Sequence, residues 1–237
     1  MQLLVFDLRA SLAHFRRPDT TATHSTYPFI TRTALRGLLG AILGFDEFLD
    51  TGWTGVQLVK PVKTRSQELS LLGKGFLAGQ STFNRPTSVE LVIDPHYRIY
   101  YAGDHIRELN TRIAAGRSTY VTYLGSAFAP CVPEYRGLHD VVELQPVEGD
   151  TLESIAVVPV HVIQHLELSK TEPKIGYQLA RANGFLYEYK GNREFSGTID
   201  LMYELSGQPI RFQVKENESH KPVRFANLSD GRVVTLW

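Results

Sequence analysis

The 237 residues include 25 lysines and arginines and 25 aspartates and glutamates, and 43% are apolar, a composition that argues against an intrinsically disordered chain and predicts a substantial buried core. One cysteine, Cys131, excludes an internal disulfide and a multi-cysteine zinc site, and no apolar run approaches the roughly 20 residues of a membrane span. The zero net charge argues against a broad basic field, but it hides a polarity along the chain. Residues 1–85 carry ten basic against six acidic side chains, residues 86–168 five against eleven, and residues 169–237 ten against eight. An early basic excess in a neutral chain suits a protein that grips an anionic polymer with one face and protein neighbours with another, although such fluctuations are also ordinary.

The opening MQLLVFDLRASLAHF holds Asp7 and Arg9 within its apolar run, so it reads as a first strand over residues 2–9 and not as a secretory leader, and a cytoplasmic location is expected. Both sides of this strand are apolar, as in a strand covered on both faces. A loop rich in Pro and Thr, with the adjacent Arg16 and Arg17, then runs to Tyr27-Pro28. The spacing of Ala34, Leu35, Leu38, Leu39, Ile42 and Leu43 predicts a helix, capped by Thr31 or Thr33 and stopped at Gly44. Arg32 and Arg36 lie one turn apart, on a side away from most of the leucines, and Gly37 and Gly40 follow. Arginine forks match phosphate oxygens, a helix N-terminus attracts anions and glycine admits another backbone. The segment is therefore suited to hold a polyphosphate chain without reading its bases. An ordinary amphipathic helix with a solvated arginine face explains the same residues.

A short helical piece is expected around residues 46–49, then a strand over residues 53–63 and a matching one over 89–93. Between them, residues 64–87 hold three glycines and Pro86, with Arg65, Lys74 and Arg85 interspersed among Leu71, Leu72, Phe76 and Phe83, and Lys63 at the entrance. Interleaved basic and apolar residues suit an arm that projects from two strands and packs when a partner is present; an ordered surface loop is the plain alternative. A strand over residues 96–101 places Tyr97, Ile99 and Tyr101 on one face. Asp104 is expected to cap a helix over residues 105–116, with Ile106, Leu109 and Ile113 as its apolar stripe, Arg107, Glu108 and Arg112 solvated, and Gly116 as its stop. Strand, helix, strand, strand, helix in the first 116 residues predicts an α+β, ferredoxin-like sheet with helices on one face. That topology underlies RNA-recognition modules and many unrelated functions.

After a Gly-punctuated connection over residues 117–128 the chain turns β-rich. Strands are expected at residues 157–163, 185–189, 197–205, 210–215, 223–228 and 233–236, with turn residues between them. His161 and His165 fall too far apart on a strand for an easy two-ligand site, so neither a metal nor another cofactor is expected. His14, His24, Tyr27 and the pair His220-Lys221 are the candidates for acid–base chemistry, and no cluster of acid, base and nucleophile appears.

Several short motifs occur in a telling order: the opening strand, the loop ending Tyr27-Pro28, and Thr33-Ala34-Leu35-Arg36-Gly37-Leu38-Leu39-Gly40. The strand entry Asp94-Pro95-His96-Tyr97-Arg98 and the turn Tyr123-Leu124-Gly125 follow. Together, over roughly residues 1–130, they resemble the Cas-five family, RAMP-superfamily subunits of CRISPR type I (Cascade) effector complexes. Among subtypes the chain looks most like the I-B forms. The resemblance implies a ferredoxin-like domain over residues 1–130 with a protruding thumb hairpin at about 64–87, and a β-rich region over 131–237 that completes or flanks the sheet. It also implies a non-catalytic RNA-binding subunit that clamps the 5′ handle of the crRNA beside the large subunit and the end of the backbone filament, touching target DNA only indirectly. Carried over by position, Arg16, Arg17, Tyr27, Arg32, Arg36 and Gly37 line the handle site and Tyr123 and Gly125 border it. Arg65, Lys74 and Arg85 belong to the thumb, with Lys63 at its foot. One branch of the family cuts precursor RNA without metal, using a tyrosine, a lysine and a histidine. This chain lacks the adjacent Lys-His of that branch, and a metal-independent processing ribonuclease stands as the alternative.

Overall fold

The computed structural model describes residues 1–20, 23–49, 51–73, 82–168, 177–215 and 221–237. Strand β1 (Gln2–Arg9) is buried along its six inner residues. Leu4, Phe6 and Leu8 enter the core beneath the helices, whereas Leu3 and Val5 enter a second core on the other face, as the two-sided apolar pattern predicts. A short β2 (Leu12–Ala13) precedes helix α1 (Arg32–Leu43). The Thr31 hydroxyl accepts from the Ala34 N–H at its start, and Gly44 ends it at φ 86°, a left-handed conformation that suits glycine. The expected helical piece at residues 46–49 does not form. The Phe45 N–H donates back to the Gly40 carbonyl and the Phe45 ring stacks on Phe48, so the chain bends instead of winding on.

Strand β3 (Trp53–Leu58) stops well short of residue 63, because the chain bends at Val59-Lys60 and Pro61 has no N–H for a ladder. Strands β4 (Thr64–Gly73) and β5 (Phe83–Ile93) form one antiparallel ribbon, paired from Thr64 with Val92 out to Gly73 with Phe83. Lys74 and Phe76 lie outside the described residues. Strand β6 (His96–Ala102) leads to helix α2 (Ile106–Ala114), whose cap position is taken by His105 at φ 58° and not by Asp104. Arg112 is not simply solvated: it pairs with Glu108 and donates to the Ile42 carbonyl and the Thr119 hydroxyl, placing a cation at the C-terminal end of α1.

Strand β7 (Glu134–Asp140), the first beyond residue 130, completes a four-stranded sheet in the order β3-β6-β1-β7 with every neighbouring pair antiparallel. Asp7 ties three adjacent strands, β6, β1 and β7, together. This fully buried carboxylate accepts from Arg98 at 2.7 and 3.1 Å and from Arg136 at 2.8 Å, and lies 3.1 Å from the His96 ring nitrogen Nε2. Leu35, Leu39, Leu109 and Ile113 bring both helices onto the Leu4–Phe6–Leu8 face.

The remaining strands are β8 (Val142–Leu144), β9 (Thr151–Ser154), β10 (Val158–Pro159), β11 (Ile163–Leu166), β12 (Leu179–Gly191), β13 (Glu194–Glu204), β14 (Ile210–Val214), β15 (Arg224–Asn227) and β16 (Val233–Leu236). The strand expected at 157–163 is broken after Pro159 by a single 3-10 turn, Val160–Val162. Strands β12 and β13 form a long ribbon closed by Asn192 and Arg193, both at positive φ, the geometry that matches strand twist. A six-stranded sheet in the order β11-β14-β9-β16-β15-β8 lays β16 against the second face of the first sheet. Val234 and Leu236 pack with Leu3, Val5 and Tyr100, and Thr54 and Trp237 exchange backbone hydrogen bonds. Gly55 permits this approach, since a Cβ there would lie 2.8 Å from the Thr235 carbonyl oxygen. Both faces of the first sheet are therefore covered. The open sheet face on which RNA-recognition modules stack bases is closed in this chain.

Candidate nucleic-acid interface

Loop and helix geometry builds one cavity along α1, of about 390 Å³. Its floor is the exposed side of the helix, from Thr33 and Ala34 through Gly37 and Leu38 to Ala41. One wall is the segment containing Phe15, Arg16 and Tyr27; the other is the connection after α2, with Val121, Thr122, Tyr123 and Gly125. That connection is held in place because its N–H groups satisfy the last carbonyls of α1: Thr119 donates to Ile42 and Tyr120 to Ala41. Further along, the Leu124 carbonyl accepts from the His14 N–H, locking the connection onto the first wall.

Five sequence-predicted residues thus converge here: Arg16, Tyr27, Gly37, Tyr123 and Gly125. Two of them have more structural duties than expected. Tyr27 is buried, its ring packs against that of Phe185 with the centroids 4.2 Å apart and the planes tilted by 32°, its hydroxyl donates to the Gly184 carbonyl at 2.6 Å, and burial pushes its pKa up. Gly125 meets protein: at φ 76°, a Cβ would lie 2.2 Å from the His14 carbonyl oxygen.

The other predicted arginines go elsewhere, which corrects the expectation of a single convergent cationic groove. The Arg16–Thr26 bridge gives this stretch extended backbone, so neighbouring side chains point to opposite sides. Arg17 turns from the cavity, forms a bidentate pair with Asp19 at 3.1 and 2.8 Å, and sets its guanidinium 5.6 Å from the Tyr27 ring centroid. Arg32 and Arg36 are buried on the opposite side of α1, not solvated. Arg32 donates to the Gly52 carbonyl at 2.9 Å and lies 5.1 Å from the Tyr187 ring centroid. Both line a second cavity of about 410 Å³ with Trp53, Tyr187, Tyr189 and Lys190. The cause is the β12–β13 ribbon, which packs over α1 and also supplies Leu186 to the first cavity. Sequence reading missed this wall, since nothing in the alternation of residues 185–189 tells which element they cover.

The β4–β5 ribbon stands apart from both cavities. Regular pairing places Arg65, Leu69, Leu71, Phe83 and Arg85 on one face and Glu68 and Glu90 on the other. Lys63, at its foot, is exposed, as are Arg65 and Arg85. His14 and His24 lie at the base of β5, with ring centroids 6.4 Å apart and the planes 24° from parallel. The His14 Nδ1 lies 2.8 Å from the Glu90 carbonyl oxygen, and burial, reinforced by the charges of Arg16 and Arg85, pushes the His24 pKa down. His220 lies outside the described residues. Among the described residues no group of three histidine, cysteine, aspartate or glutamate side chains is placed to hold a metal ion.

The family model described as CRISPR-associated protein (Cas_Cas5) matches residues 3–181. The chain belongs to that family. This Cas-five member also shares its fold with two solved structures. One is described as a CRISPR RNA-guided surveillance complex, with a TM-score of 0.52, 11% identity and 90% of each chain covered. The other is described as a CRISPR protein from Archaeoglobus fulgidus, with a TM-score of 0.56, 10% identity and 99% of each chain covered. No curated protein matches the Cas-five chain by sequence. Among its described residues no helix is long and apolar enough to cross a membrane.

Proposed function

We propose that this protein is an RNA-binding subunit of a CRISPR effector complex that clamps the 5′ handle of the crRNA and caps the backbone filament beside the large subunit. The observation that carries the reading is the meeting, along one side of α1, of the residues that family resemblance assigns to the handle: Arg16, Gly37, Tyr123 and their neighbours. The sheet order β3-β6-β1-β7, with a helix linking strands two places apart, supports a ferredoxin-like core. The β4–β5 ribbon is the thumb in this reading, and the face that carries Arg65, Arg85, Leu69, Leu71 and Phe83 suits contact with a splayed single strand. The acidic middle of the chain is left for protein neighbours in the cytoplasm.

The test is the salt dependence of binding to labelled CRISPR repeat RNA. Each lost phosphate contact lowers the slope of log K against log salt by about 0.7 for a single strand. Replacing Arg16, Arg65 and Arg85 together with alanine is therefore expected to lower it by about 2. An unchanged slope in a folded variant removes the assignment.

A second reading, metal-independent cleavage of precursor RNA, is favoured by one observation: His24, held toward its neutral form, lies beside His14, Arg16 and Arg85. Against it, the Tyr27 hydroxyl is engaged with Gly184. Incubation of the pure chain with repeat RNA and a chelator separates the two, since the clamp leaves bound RNA intact.

A further inference from the structure

The β4–β5 ribbon has two long edges, and the chain treats them differently. On the outer edge of β5, Leu12 and Ala13 pair with Ile93 and Val92, the Ser88 carbonyl accepts from the His24 N–H, and the Glu90 N–H donates to the His24 carbonyl. Farther out on that edge stands Pro86, which has no N–H to offer. The same bonds fix the phase of the ladder. Ser88 and Glu90 turn their backbone groups away from β4, so the residues in phase with them across the ribbon, Thr64, Ser66, Glu68, Ser70 and Leu72, turn theirs outward on the other side. Strand β4 therefore presents five N–H and five C=O groups along its edge, with no backbone partner among the described residues.

Proteins blunt such an edge with a bulge, a proline, a lysine or a covering element. Strand β4 has none of these. Its pairing with β5 runs from Thr64 to Gly73 without a register shift, its only charged residues are Arg65 and Glu68, and none of its residues is buried. We propose that this edge is completed by an extended strand of a neighbouring protein, which adds to the ribbon through main-chain hydrogen bonds. A polypeptide strand repeats its donors and acceptors every second residue, in step with those of β4, whereas a nucleic acid backbone has no such ladder. Side chains select the strand. Arg65, Gln67, Leu69 and Leu71 share a face with Leu91, Val89, Thr87 and Arg85, so arginines flank apolar side chains there and no carboxylate stands among them. The added strand accordingly carries apolar residues beside Leu69 and Leu71, a carboxylate beside Arg65, and hydroxyl or amide side chains on its other face, beside Thr64, Ser66 and Ser70. An antiparallel second copy of β4 fits less well. Antiparallel neighbours share a face, so self-pairing sets Arg65 among side chains that include no acid and leaves Glu68 on the other face. The proposal goes beyond the RNA-binding reading and does not depend on it, since it uses the ribbon's edge where that reading uses a face.

The experiment titrates the full chain with a labelled peptide of about ten residues that alternates valine with threonine and has one glutamate among the valines. Two control peptides accompany it, one with its backbone nitrogens methylated and one with lysine in place of the glutamate. The first peptide is expected to bind and to slow amide exchange over residues 64–72. Methylation, which removes the N–H groups that would face β4, should weaken binding tenfold or more. The lysine peptide should bind more weakly than the glutamate peptide, and Arg65→Glu should reverse that order. Ser70→Pro removes an outward N–H without touching the ladder to β5, as Pro86 does opposite it, and should abolish peptide binding while binding of labelled repeat RNA persists. Ser70→Ala should bind the peptide as the parent protein does, and the methylated peptide decides the matter if Ser70→Pro does not fold. No binding by the parent protein, or binding that survives both methylation and Ser70→Pro, overturns the proposal. So does a dimer of the chain alone that Ser70→Pro abolishes, which gives the edge to a second copy. Loss of repeat RNA binding in a folded Ser70→Pro protein gives the edge to the nucleic acid and overturns it as well.

Discussion

Asp7 shows how one buried charge is made to serve three strands. Burial pushes its carboxyl up, but hydrogen bonds from Arg98 and His96, with the charges of Arg98 and Arg136, outweigh that and hold it at about 2 against an ordinary 3.8. A carboxyl depressed in the folded state stabilises the protein fully above its unfolded value and loses that contribution as pH falls through the folded one. Urea unfolding at pH 6 and near pH 2 is therefore expected to differ by about 2 kcal/mol from this group alone. Asp7→Asn should cost about 2 kcal/mol at neutral pH and remove that part of the acid dependence, the partly solvated Arg98 and Arg136 recovering some hydration. The charges in this network were visible in the sequence as scattered single residues. Their convergence was not, because Asp7 and Arg136 are 129 positions apart and meet only through strand register.

Among the elements, α1 and the connection after α2 form a unit. Thr31, the leucine spacing and Gly44 made the helix legible, since caps and periodicity act over a few residues. The connection was legible only as glycine-punctuated chain, yet it satisfies the helix's last carbonyls and carries one wall of the cavity. Gly125→Ala tests its fit. At φ 76°, with its Cβ 2.2 Å from the His14 carbonyl oxygen, the alanine must displace the connection, at a cost of about 2 kcal/mol or more. For a chain of this size that lowers the melting temperature by roughly 4–8 °C. Binding of labelled repeat RNA should fall with it, because Tyr123 in the cavity lining moves too. The β4–β5 ribbon teaches the opposite lesson, since its glycines and proline suggested a loose arm while the backbone pairs regularly along the described residues.

At the scale of the whole molecule, the C-terminal strands convert a two-layer arrangement into one in which the central sheet is covered twice. Leu236 is fully buried against that sheet, and Leu236→Ala is expected to cost about 2–5 kcal/mol, measured by urea unfolding. The same covering closes the sheet face that RNA-recognition modules use and moves the candidate interface to the side of α1. By itself the sequence determined helices α1 and α2, most of the described strands, the family likeness and the small residue at Gly37, because propensity, capping and periodicity are local. Only the tertiary structure decided where the arginines point. Arg32 and Arg36 carry the same sequence signal whether the face they share meets water or the β12–β13 ribbon, and that choice is made by residues about 150 positions away, through burial of the ribbon's apolar side chains.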